Sequence, residues 1–70
     1  MEYVAILETD GRTWSAYVPD LPGCVAAAAT EEEIVKLIDE AVVFHIEGLR
    51  EMGLPVPLPT SKPHTVRKSA

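Results

Sequence analysis

Cys24, His45 and His64 are the residues of this 70-residue sequence whose types suit nucleophilic or metal chemistry. A catalytic thiol needs a base within hydrogen-bond reach, and that base needs a third group to orient it. Cys24 closes the string YVPDLPGC, His45 falls inside a helical pattern, and His64 stands near the end of the sequence. The three lie roughly 20 residues apart, whereas zinc sites use closely spaced pairs of ligands. His45 sits at the centre of an apolar stripe, where a histidine is ordinarily a packed core residue. No Asp or Asn is placed to orient either histidine. Asp10 and Asp20 occupy turns, where Asp is expected for local reasons, and there is no glycine-rich phosphate loop. The expectation is no catalytic, cofactor or metal site. Cys24 then reads as a small apolar side chain entering a strand.

Size and charge narrow the function classes. A single core in a chain this short is worth about 3–5 kcal/mol and needs a further staple. One cysteine makes no internal disulfide, which leaves self-association and an expected homodimer or tetramer. The start, MEYVAILETD, has no basic segment and alternates with the period of a strand, unlike a signal peptide. No run approaches the 18 apolar residues of a membrane span. A free thiol without an export signal points to the cytoplasm. The net charge is -5, but Lys62, Arg67 and Lys68 stand in a final segment that has no acid, so residues 1–53 carry -8. A body this acidic is a poor match for phosphate and a good one for a basic protein.

The pattern of elements is β-β-β-α. Tyr3–Glu8 and Thr13–Val18 alternate as strands around Asp10-Gly11, a strong signal for a two-residue hairpin. Pairing Thr9 with Arg12 sets Leu7 opposite Trp14, Ala5 opposite Ala16 and Tyr3 opposite Val18. That face is wholly apolar and should meet a helix. The other face is mixed, with a patch of Val4, Ile6 and Tyr17. Pro19 and Pro22 lack the donor a ladder needs, so the second strand ends near Val18. Pro22-Gly23 turns the chain, and Cys24–Ala29 follows as a short strand.

Thr30 opens a helix with the capping-box spacing to Glu33, and Glu31, Glu32 and Glu33 complement the dipole. Gly53 closes it, with Leu54 placed for the accompanying contact and Pro55 barring continuation. The apolar stripe runs through Ile34, Leu37, Ile38, Ala41, Val42, His45, Gly48, Leu49 and Met52. Val35 and Ile46 widen it on one side and Phe44 on the other, to about 200°, where one sheet needs little more than about 100°. The surplus implies a second buried surface. Val4, Ile6, Tyr17, Val35, Val42 and Ile46 are the candidate self-association residues, and Glu40, Glu47 and Glu51 the candidate acidic surface toward a partner. The remaining segment, LPVPLPTSKPHTVRKSA, holds four of the six prolines. It should run extended, as a linker or an arm, with room for a short fourth strand in HTVRKS.

Together these residues resemble the HicB-type antitoxin domain of bacterial and archaeal toxin–antitoxin systems. The resemblance covers about residues 2–60 and rests on AYVPDLPGC at 16–24, Thr30 before an acidic helix, DEA at 39–41 and GLPVPLP at 53–59. Its motif residues are Pro19, Leu21, Pro22, Gly23, Cys24 and Thr30. It implies an α+β fold: an antiparallel three-stranded sheet with one long helix on one face, likened to a degraded RNase H fold without its catalytic acids. It implies a non-enzymatic protein that binds and masks a small basic mRNA-cleaving toxin of the HicA type. Many members carry a second, DNA-binding domain. The 70 residues leave no room for one, so autorepression and direct nucleic-acid binding are not expected. The expected division is a HicB-like domain at 1–54 and a proline-rich tail at 55–70. The alternative is an orphan structural or ligand-sensing homo-oligomer without a toxin. AAAA at 26–29 and Glu33 depart from the family's usual residues, at the edge of the third strand and the start of the helix.

Overall fold

The computed structural model describes residues 2–66. Three short strands precede one long helix: β1 (Ile6–Thr9), β2 (Trp14–Tyr17), β3 (Val25–Ala28) and α1 (Glu31–Glu51). The sheet is antiparallel with order β1-β2-β3, so β2 is central and both neighbours are edges. The α+β fold expected from the sequence is the fold found. The described part of HTVRKS, His64–Val66, adds no strand, and the rest of that string lies outside the described residues.

The first hairpin corrects the expected register. Thr9 pairs with Trp14 and Leu7 with Ala16, which leaves a four-residue loop instead of two. The physical reason lies in Asp10. A two-residue type I′ turn needs positive φ at both central residues, and Gly11 takes it at 91° while Asp10 does not. Asp10 instead turns its carboxylate inward, accepting from the amides of Arg12 and Thr13 at 2.9 Å each. Thr9 Oγ1 accepts from the Gly11 amide and donates to the Thr13 carbonyl. The register moves by two residues, an even number, so every side chain keeps its face.

Alternation then sorts the sheet. Leu7, Ala16 and Ala26 share one cross-strand row, and Trp14 and Ala28 pair in the next. These residues meet α1, which packs over β3 and β2. Ile6, Tyr17 and Val25, with Glu8, Ser15 and Ala27, face the other way. Small side chains along β3 let the helix sit close. The core is correspondingly slight: Ala16, Val18, Leu21, Cys24, Ile34 and Ile38 are its buried members among the described residues.

Both helix caps form. Thr30 Oγ1 accepts from the Glu33 amide at 3.2 Å. Glu33 answers by accepting from the Thr30 hydroxyl, not from its backbone amide as the capping box would have it. At the other end Gly53, at φ 70°, donates to Arg50 and Leu54 donates to Leu49, the paired bonds of a Schellman motif.

The buried half of α1 is its first half. At roughly 1.5 Å per residue the helix is about 31 Å long, well beyond four-residue strands, so its last turns overhang the sheet. Stability should therefore concentrate at Ile34, Ile38 and the N-cap. Ile34→Val should cost about 1 kcal/mol and Thr30→Ala about the same in urea denaturation. Phe44→Ala should leave the midpoint almost unchanged.

Candidate functional site

The YVPDLPGC segment is a buttress. Val18 donates to the Cys24 carbonyl at 3.1 Å, extending the β2–β3 ladder by one pair beyond Tyr17 and Val25. Leu21 donates to Val18 and Cys24 donates to Leu21, each at 3.0 Å, which folds the prolines into a compact loop. Gly23 turns at φ 87°. The loop drives Leu21 to 0% exposure and Cys24 to 3%. Burial pushes the Cys24 thiol up from its ordinary pKa, opposite to what a nucleophile needs. His45 reaches this loop, with Cε1 3.8 Å from where a Gly23 side chain would begin, and is half-buried there. Among the described residues no three His, Cys, Asp or Glu groups gather as a metal site.

Asp20 departs from the sequence reading. Its carboxylate serves the tail, not its own turn. Oδ2 accepts from the amides of Thr60 and Ser61 at 3.0 and 2.9 Å, and Oδ1 accepts from both hydroxyls at 3.0 Å. The Ser61 amide, with the Thr60 and Ser61 hydroxyls, holds the Asp20 pKa below the ordinary carboxylate value. Tyr3 adds a second tie, its hydroxyl donating to the Pro57 carbonyl. The PVPLP segment is thus an arm folded back along its own chain, held at the open end of the β1–β2 pair. No local pattern announces these ties, because the partners are 40 and 54 residues apart.

The candidate surface residues fall into three places. Val4, Ile6 and Tyr17 lie on the sheet face away from α1, joined there by exposed Val25. Val42 and Ile46 pack in part on the core and, with Tyr3, Val43, Glu47 and Arg50, line a groove of about 320 Å³ beside β1. Val35 is exposed on the same flank of the helix. The six expected self-association residues therefore occupy separate surfaces. Glu40, Glu47 and Glu51 are all exposed and recur at seven and four residues, which makes one stripe along α1. Beside that stripe stands Phe44, 79% exposed. The sequence pattern marked Phe44 as a flank of the apolar arc without marking it as a site.

The family described as HicB_like antitoxin of bacterial toxin-antitoxin system matches residues 3–69. The chain belongs to that family. A chain of a HicA3 and HicB3 toxin–antitoxin complex has the same fold, with TM-score 0.76 and 35% identity over 89% of this HicB-like chain and 72% of that one. An uncharacterised 14.9 kDa protein from the rep–hol intergenic region of Haemophilus phage HP1 is 39% identical over 51 residues. The match covers 73% of this HicB-like chain and 38% of the phage protein, so the chain spans well under half the length of that relative. No helix of the described residues is long and apolar enough to cross a membrane.

Two outcomes follow from this geometry. Iodoacetamide should alkylate Cys24 slowly in the folded protein and readily in urea, and Cys24→Ala should cost less than about 1.5 kcal/mol. Asp20→Asn should release the arm, read as faster hydrogen exchange at Thr60 and Ser61 with β2 protection unchanged. A depressed carboxylate stabilises above its unfolded pKa and loses that contribution as pH falls through the lower folded value. The same release should therefore occur in the wild type only below about pH 4.

Proposed function

We propose that this HicB-like domain is a non-enzymatic antitoxin that binds and masks a small basic mRNA-cleaving toxin of the HicA type. The observation that carries the reading is the family match over residues 3–69, joined to a fold shared at 35% identity with a chain from a HicA3 and HicB3 complex. The charge distribution supports it independently. The body carries -8 before its basic tail, and Glu40, Glu47 and Glu51 present carboxylates along one exposed helix stripe. Such a surface attracts a nucleic-acid-binding enzyme, whose active site is basic because its substrate is anionic. The deeply buried, unactivated Cys24 supports binding over catalysis.

The reading extends to self-association through the open sheet face. There half-buried Val4 and Ile6 and exposed Tyr17 and Val25 make an apolar patch on the face opposite α1, against which no strand or helix of the described residues packs. Homodimers or tetramers built on this face would leave the helix free for the toxin. The setting of such a pair is the cytoplasm, where the toxin's mRNA substrate resides.

Co-expression with a small basic HicA-type toxin tests the function. The expected outcome is co-purification at low salt, rescue of growth from the toxin, and affinity that weakens as ionic strength rises from about 0.05 to about 0.5 M. Growth arrest that persists with the antitoxin in excess would contradict it.

A further inference from the structure

Four residues of α1 form a seam that the core uses only at its edge, where Ala41 packs in part against it. Leu37, Ala41, Phe44 and Gly48 recur at four, three and four residues, the spacing of one side of a helix–helix contact. Leu37 is exposed, Phe44 is the most exposed large apolar residue of the helix, and Met52 continues the row, also exposed. Gly48 is the telling member. Glycine is the least favourable residue in a helix interior apart from proline. Its backbone here is ordinary, without the positive φ that Gly11, Gly23 and Gly53 show. A side chain built on Gly48 would meet nothing within 4 Å. Among the described residues neither conformation nor packing calls for glycine, which leaves an open notch one turn beyond Phe44.

The charges beside the seam select the occupant. Glu33, Glu40, Glu47 and Glu51 line one border of it, with Lys36 beside them as the one cation on that border and Arg50 further round the helix wheel. A second copy laid antiparallel against the seam would bring two such acidic borders together, and like charges in one interface oppose association. A basic partner meets no such penalty.

We propose that the Leu37–Ala41–Phe44–Gly48 seam of α1 is the surface that docks the basic toxin. Phe44 inserts into a pocket on the partner, Gly48 admits a partner side chain or backbone to the helix surface, and the bordering glutamates pair with Lys or Arg around the rim. This deepens the antitoxin reading and rests on it.

The test compares binding of a small basic HicA-type toxin to the wild type and to two helix variants. Phe44→Ala should weaken binding about 30-fold or more, as loss of a central anchor does. Gly48→Leu removes a helix-weakening residue at an open position. It should fold at least as stably as the wild type, by thermal melt, and yet bind at least tenfold more weakly. That opposition of stability and affinity is not produced by a merely structural glycine. Wild-type binding that survives both substitutions would overturn the seam while leaving the antitoxin reading intact. Absence of wild-type binding would overturn both. A wild-type dimer in sedimentation that Gly48→Leu converts to monomer would assign the seam to a second copy and overturn the proposal.

Discussion

The packing of Ile34 and Ile38 against Ala16, Val18, Leu21 and Cys24 is the constraint on which the rest of the domain depends. Six buried residues among those described are few for a folded domain, and each comes from a place where backbone geometry is tightly set. Ala16 and Val18 are fixed by the central strand. Leu21 and Cys24 are fixed by a loop that prolines pre-form and three backbone hydrogen bonds close. Ile34 and Ile38 enter one turn after a capped helix start. Because β3 is built almost wholly from alanine, α1 approaches closely and a small contact area suffices to orient it.

That economy has a consequence for function. A 21-residue helix is anchored by its first half on strands of four residues. The second half keeps Ala41, Val42 and Ile46 partly on the core but also carries exposed Val43 and Phe44 and exposed acids. Exposed Val43, Phe44 and Met52 would be a liability in a protein with no partner. On the proposed reading the exposed Phe44 side of the helix is the means of binding. The arm after Gly53 adds to the same logic, since Asp20 and Tyr3 draw it back over the open end of the sheet and leave the Phe44 side of the helix uncovered.

Much of this was legible in the residues themselves. The strand faces followed from alternation, the helix from Thr30 at one end and Gly53-Leu54-Pro55 at the other, and the excess of helix surface from the width of its apolar arc. The hairpin register was not legible, because Asp10-Gly11 suits two turn types. The choice between them depends on whether Asp10 accepts positive φ or spends its carboxylate on two amides. The clamp of Asp20 on Thr60 and Ser61 was hidden for another reason. A carboxylate and a pair of hydroxyls are common in turns and tails, and only the folded path of the chain brings positions 40 residues apart together. The candidate site was half legible: its acids stood out as a stripe, while the meaning of Gly48 required knowing that nothing packs on it.

The central claim is the proposal that the outward face of α1 is where this HicB-like domain meets a HicA-type toxin. Amide chemical-shift mapping by NMR, with a small basic HicA-type toxin added to the labelled domain, addresses it most directly. The account predicts that the largest changes fall at Leu37, Glu40, Ala41, Phe44, Glu47 and Gly48, with Ile6, Tyr17 and Val25 little moved. Changes confined to the open sheet face, with α1 unperturbed, would contradict it.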